Sequence, residues 1–446
     1  MPSSWLPRRF LLRRGAIAPL TALCLALLVG VAALVIDGGT LMEARRHVQA
    51  AADAAALAGA DDLYCNYLTN QGIDVNGTAL ASALATASAN GFANDGVQSV
   101  VTVHTSPQKY QGGPNAGQTI PPGYIEVLIQ YNVAHLFSGV LGTGTSPVRA
   151  RAVARGRCTP LKSNGVIALS LNAAGALNVA SLGGLTVNGT IQVNSGSSSA
   201  LNITSTVAAT QFILNPSVGS LSANVLSLLS GLGGSEATIV TSPPSPDPLR
   251  YLPPPNPGPL QTLVWNGNTV TCPPGVYNNG IQISGGTLLN PITVRLGNSD
   301  GTPGIYYLNA NGFQVSGWVN IMTVGGIMIY NNWSNASTDI IKVSTYGAVT
   351  ITPPAYGPYC GLCIFQKRGT SLNPAPSVTL NAQGSANVTG TIYAAHANVS
   401  LTTNLSSNVM GGQIIADTIT TNGAAAININ PGAQPTANLR LLGLVE

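Results

Sequence analysis

The stretch from Ala16 to Ile36, AIAPLTALCLALLVGVAALVI, runs for 21 residues without a charge. At the α-helical rise it spans about 31 Å, the thickness of a bilayer's hydrocarbon core. Arg8, Arg9, Arg13 and Arg14 precede it, and Asp37 and Glu43 with Arg45 and Arg46 follow. Basic residues before the span orient a membrane helix with its N-terminus in the cytoplasm and the bulk of the chain outside. A cleaved signal peptide is the competing reading, but its apolar core usually runs for about 7–15 residues and ends at a small-x-small site. Ile36–Asp37–Gly38–Gly39 matches such a site poorly. A retained, single-pass anchor is therefore expected.

Charge is scarce throughout. Asp, Glu, Lys and Arg make up 7% of the 446 residues, against roughly 25% in a typical soluble domain. The net charge is +4, from 18 basic and 14 acidic side chains. So few cations argue against nucleic acid as a partner. So few charges also argue against a disordered polyelectrolyte. With 51 Gly and 30 Pro, the composition suits an envelope or extracellular β-protein.

Beyond the span, Leu41 to Ala60 is alanine-rich and reads as continued helix, with Asp37, Gly38 and Gly39 expected to kink the join. Small side chains there would let another helix approach closely. Thr78 to Asn94 reads as a second helix stopped near Gly91, and Val97 to Ser106 as a strand. Tyr124 to Phe137 alternates Ile125, Val127, Ile129, Tyr131 and Val133 on one face, a period-2 strand. Val148 to Gly156 sets Ala150, Ala152 and Ala154 against Arg149, Arg151 and Arg155. That basic face reads as a solvated edge protected by charge, or as a surface for acidic partners or lipid headgroups. Together these elements make residues 37–159 a small pilin-like α+β unit.

The run from Arg13 to Ala60 resembles the start of the TadE/TadG-like family of Flp (tight-adherence) pilus-assembly proteins. The matching features are Arg13-Arg14-Gly15-Ala16, the apolar span, Asp37, Arg45-Arg46 and the alanine-rich string from Gln49 through Asp53 to Gly59. The resemblance implies a bacterial inner-membrane protein with its bulk in the periplasm and other Flp pilus-assembly proteins, or like subunits, as partners. TadE-type pseudopilins carry Glu five residues after the processing glycine. Here the fifth residue after Gly15 is Leu20, which favours an uncleaved, TadG-like anchor. The Asp-x-Ser-x-Ser metal string of von Willebrand A domains in many TadG proteins is missing from the sequence.

From Asn164 the texture changes. Short pairs recur, Leu177/Val179, Leu185/Val187, Ile191/Val193 and Leu201/Ile203, separated by Gly, Asn and Ser. These suit short strands turned by glycine and asparagine. A proline-rich break, Pro243 to Pro259, has nine prolines in seventeen residues and reads as a stiff connector. The same texture resumes beyond it. The expected organisation is a basic segment at 1–15, the span at 16–36, the α+β unit at 37–159, a first β-rich region at 160–240, a linker at 241–260 and a second β-rich region at 261–446. The all-β part is expected to be a right-handed parallel β-helix or solenoid, with a β-sandwich or jelly roll as the alternative.

Candidate chemistry is sparse. From Pro160 onward the carboxylates are Glu236, Asp247, Asp300, Asp339, Asp417 and Glu446, with one histidine, His396. Polysaccharide hydrolases and lyases on β-helices need acids placed close together, and Asp300 with Asp339 is the pair that would have to meet. No nucleophile elbow, P-loop or metal-ligand spacing is evident. No catalytic residue, metal or cofactor is assigned. Cys24 lies in the span. Cys65 and Cys158 bracket the α+β unit and are the first candidate for a disulfide in an oxidising compartment. Cys360 and Cys363 have C-x-x-C spacing and would form a local disulfide, or one of them would pair with Cys272. Eight Tyr and Trp residues from Tyr306 to Tyr359 would either bind surface glycans or fill the core. The function expected is therefore a membrane-anchored, non-enzymatic assembly protein with a structural or adhesive β-domain. The alternatives are an adhesin or ligand-binding module on a TadG-type anchor and, behind it, a β-helix enzyme.

Overall fold

The computed structural model describes residues 17–135, 144–218, 221–232, 237–370, 372–404 and 408–445. The chain forms two compact units. Residues Met1–Arg157 with Leu441–Glu446 make the first, and Cys158–Arg440 make the second.

The first unit is built on helix α1, Ile17–Cys65, which continues unbroken through Asp37, Gly38 and Gly39. The expected kink is not formed as a break in the helix. Two glycines cost roughly 1 kcal/mol each in a helix interior, and the alanine-rich segment after them offsets that by packing. A short helix α2, Tyr67–Asn70, follows, then α3, Thr78–Ala89. Helix α3 buries Ala79, Ala83 and Ala87, one residue per turn, against the alanine face of α1. Three antiparallel strands come next: β1 (Ser99–Thr105), β2 (Tyr124–Ala134) and β3 (Thr145–Pro160). Val103 pairs with Val127, and Val127 with Ala152. The chain's last strand, Asn438–Leu444, joins the far side of β3. Leu161 N donates to Ala437 O and Val445 N to Val153 O, so that strand runs along the second half of β3, and the stretch carrying Arg149 and Arg151 lies beyond it. The last part of the sequence supplies the covering strand, which no local pattern in β3 announces.

The second unit is one 25-stranded sheet of mostly parallel pairings. From Thr269–Cys272 to Leu362–Gln366 each strand pairs with the strand three places on, so the pairings there fall into three ladders. The inward positions form one continuous core, including Val294, Phe313, Ile329, Val343, Ile392, Ile414, Val166 and Phe212. Glycines turn the corners. Gly317 has φ +93, and a Cβ there would lie 2.3 Å from the Gly285 carbonyl one rung away, so no other residue fits.

Two features of this unit were not legible from the pattern of short strands. First, the β-rich stretches on either side of the prolines are one unit. Ile414–Ala416 near the C-terminus pair with Val166–Ala168, and Ile427–Ile429 with Leu185–Val187. The chain enters mid-stack, builds towards one end at Thr238–Thr241, crosses to the other end, and builds back to the middle. It leaves beside its entry, where Leu161 N donates to Ala437 O at 3.2 Å.

Second, the proline-rich segment is a strap that makes this crossing. Along one ladder, nine strand-to-strand steps separate Val240 from Val276, by way of Ile213, Gln192, Ile167, Ile415, Tyr393, Phe365, Tyr330 and Tyr307. At about 4.8 Å per step that is roughly 43 Å. The twenty residues from Val240 to Leu260, which bridges to Val276, would reach only about 30 Å as a helix. In an extended polyproline conformation they reach about 62 Å. Proline's fixed φ is what makes the crossing feasible in so few residues.

Candidate membrane-anchor site

From Leu20 to Ile36 the large apolar side chains of α1 are all exposed, Leu34 to 71%. The helix is long and apolar enough to cross a membrane. Burial begins at Asp37, 5% exposed, and then falls on Val48, Ala51, Ala52, Ala55, Ala56, Ala60 and Leu63. This three- and four-residue spacing is the core stripe of an amphipathic helix. One helix thus has two surfaces, a greasy one without protein cover and a small-residue one against α3 and the sheet. The second depends on close approach. A Cβ on Gly59 would sit 2.4 Å from the Ile125 side chain, and one on Gly156 only 1.6 Å from the Ala60 carbonyl oxygen. The four flanking arginines expected to orient the span, Arg8, Arg9, Arg13 and Arg14, lie outside the described residues, as do Glu236, Glu446 and the expected strand end at Phe137.

On β3, Arg151 donates from Nε to Glu126 Oε1 at 2.6 Å. Glu126 is fully buried and also accepts from the backbone N–H groups of Gln111 (2.7 Å) and Gly112 (3.2 Å). A buried carboxylate needs such partners, so this arginine is spent internally. Arg149 stays exposed, its Nε donating to Gln130 Oε1 at 2.9 Å. Arg45, also exposed, lies with Arg149 along a groove floored by Leu41, Met42, Pro147 and Val148. A neighbouring groove holds Glu43, His47, Phe92 and Tyr131, with the His47 and Phe92 rings 5.1 Å apart. His104 and His135 lie on or beside the strands as expected, His135 facing Ser146 Oγ at 3.0 Å.

In the second unit Asp339, Asp300 and Asp247 accept hydrogen bonds from within the chain. Asp339 accepts from the backbone N–H groups of Asn311 (2.7 Å), Ser334 (2.8 Å) and Asn335 (2.8 Å) and from Thr338 Oγ1 (2.8 Å). Burial pushes its carboxyl up, but the donors from Asn335, Ser334, Thr338 and Asn311 prevail and hold it down to about 2. Asp300 is exposed and accepts from Thr302 N and Oγ1 in its own turn. Asp247, in the strap, accepts from Tyr393 OH and stands 3.7 Å from Arg368 Nε. Asp417 is pushed up by burial and pulled back by His396. Among the described residues no group of three or more His, Cys, Asp or Glu is placed to hold a metal ion.

Cys65 closes α1, and Cys158 lies in the last part of β3. Cys360 and Cys363 donate to separate backbone oxygens, Ala355 O at 3.1 Å and Thr391 O at 3.2 Å. Burial pushes the Cys272 and Cys363 thiols up to about 12, and raises Cys360 less against a hydrogen bond from Asn438. Thiols so raised are protonated and poor nucleophiles.

Half of the eight Tyr and Trp side chains from Tyr306 to Tyr359 are buried, namely Tyr306, Tyr330, Trp333 and Tyr359, and Tyr346 and Tyr356 are exposed. Tyr307, Tyr330, Phe365 and Tyr393 stand on successive rungs of one ladder with ring centroids 5.0–5.3 Å apart. This row faces outward from the strands and is covered by the strap, with Leu249 and Leu252 packed against it. Arg368 fastens the strap by donating to Leu252 O at 3.0 Å, to Leu249 O and to Tyr393 OH. Trp318 and Tyr346 stack at 5.1 Å on a corner, with Tyr346 exposed. No regular spacing in sequence links Tyr307, Tyr330, Phe365 and Tyr393, and their cover, Leu249 and Leu252, lies in a distant segment of the chain.

These elements define an α+β unit whose first helix holds a candidate membrane span, and a separate β-rich unit. Residues 15–62 match the model of the Flp pilus-assembly TadE/G-like family. Residues 58–154 match that of a Tad-like Flp pilus-assembly family. The two matches cover α1, α3 and the antiparallel strands, so the likeness to Tad-like Flp pilus-assembly families extends over residues 15–154; the β-rich unit lies beyond both. No curated protein and no solved structure matches the chain.

Proposed function

We propose that this is a bacterial inner-membrane protein of TadG-like type. Residues 16–36 span the bilayer with the N-terminus in the cytoplasm, and both units lie on the periplasmic side. The α+β unit docks with Flp pilus-assembly proteins or like subunits. The β-rich unit is a parallel β-helix, with the right-handed crossovers that parallel strands favour, acting as a rigid structural or adhesive module without turnover. The observation that carries the reading is α1 itself: an uncovered apolar segment runs directly into an alanine-packed stem inside the family-matched region. The occupied state of Asp339 and Asp300 supports a binding rather than a hydrolytic role.

Deleting the gene and imaging surface filaments by electron microscopy tests the assembly role, and normal filaments would refute it. Protease digestion of spheroplasts tests the orientation, since the β-rich unit should be accessible from outside. The adhesive reading draws on the exposed Tyr346 beside Trp318 and is tested by binding of the intact protein to a glycan array.

A further inference from the structure

We propose that the groove between α1 and the start of β3 seats the headgroup of an acidic phospholipid. This rests on the reading of residues 16–36 as a membrane span. The groove is open, about 680 Å³, and lined by Leu41, Met42, Arg45, Ser146, Pro147, Val148 and Arg149. Among the described residues its lining contains two arginines and no carboxylate, while Glu43 of the same helical turn faces the neighbouring groove. Arg45 and Arg149 are both exposed, and the bond from Arg149 Nε to Gln130 holds one guanidinium in place. Met42 is 71% exposed, an apolar side chain left uncovered where the glycerol backbone of a lipid would rest.

Depth decides the occupant. The headgroup layer is about 5–7 Å thick on each side of the hydrocarbon core. Along α1, Leu41 lies about 7 Å beyond Ile36 and Arg45 about 13 Å. Helical side chains lean towards the helix N-terminus, so Arg45 reaches back towards the bilayer and its guanidinium falls at phosphate level. Two guanidiniums there meet a phosphodiester with charge-assisted hydrogen bonds. An acidic headgroup matches them where a zwitterionic one carries its own compensating cation.

The test uses the full-length protein in nanodiscs of phosphatidylcholine with added phosphatidylglycerol. Native mass spectrometry after gentle delipidation counts each retained lipid. At about 1 kcal/mol for a basic residue at an anionic surface, each arginine should favour phosphatidylglycerol about fivefold. Arg45→Gln and Arg149→Gln should each weaken that preference, and the double variant should remove it. Arg46→Gln, exposed on α1 outside the groove lining, should leave it unchanged. Equal retention of both lipids by the wild type, or an undiminished preference in the double variant, would overturn the headgroup site. Alkaline carbonate extraction reads the span separately. Protein that stays in the membrane without lipid preference refutes the groove alone, and protein released to the supernatant refutes the span and the groove together.

Discussion

Replacing Arg368 by methionine should loosen the strap while leaving the β-stack intact. The guanidinium holds the carbonyls of Leu249 and Leu252 and the Tyr393 hydroxyl, and methionine keeps most of the stem's packing while removing all three bonds. Hydrogen bonds from a charged donor are worth about 1.5–3 kcal/mol each. Taking the low end for the two carbonyls gives a local opening easier by about 3 kcal/mol, or roughly a hundredfold in the open population at 1.4 kcal/mol per decade. Trypsin reads this directly, because Arg250 is exposed beside Leu249, which is 3% exposed and pins the strap. Cleavage there needs several residues to detach, and its rate tracks the open population when reclosing is fast. The fragment ending at Arg250, followed by mass, should therefore appear roughly a hundred times faster in R368M. Tyr393→Phe, which removes the hydroxyl that donates to Asp247 and accepts from Arg368 but leaves both strap carbonyls bonded, should accelerate it less, by about fivefold for a net loss near 1 kcal/mol. Wild-type protein nicked at the rate of the denatured chain, or R368M nicked at the wild-type rate, would refute the fastened strap.

In the first unit, Gly156→Ala should destabilise by about 2–3 kcal/mol, the cost of overpacking between two backbones, since the new methyl meets the Ala60 carbonyl at 1.6 Å; the melting temperature of the detergent-solubilised protein checks it. Asp339 should make the β-rich unit acid-sensitive. Its folded carboxyl titrates below its ordinary 3.8, at about 2, so its stabilisation is present above 3.8 and lost as the pH falls through about 2, and urea midpoints across that window should fall more steeply in the wild type than in Asp339→Asn. Cys272 and Cys363, held up to about 12, should resist iodoacetamide at neutral pH in the folded protein and react after denaturation, which peptide mapping would show.

The local parts of this protein were legible because they depend on neighbours in sequence. A charge-free run declares a helix that water does not suit, alanine at helical spacing declares a close-packed face, and β-branched pairs between glycines declare short strands. Alternation in Tyr124–Ala134 placed Ile125, Val127 and Ile129 inward, as found. The cysteines, acids and aromatics were visible as residue types, but their roles were not. Whether Asp339 is a catalyst or a loop staple depends on which backbone N–H groups reach it, and whether Tyr330 and Tyr393 bind a ligand or lie under a strap depends on what covers them.

Those questions are decided by contacts between distant segments. Nothing near Val166 states that Ile414 pairs with it, nothing in β3 states that Asn438–Leu444 runs along its second half, and a proline run reads alike as a spacer or as a strap. Sequence alone determined the elements and their faces, because conformational preference and hydrophobic periodicity act over a few residues. Tertiary structure alone decided stacking order, cover and the pairing of charges, because burial of a shared core rewards whichever segments fit together, however far apart they lie along the chain.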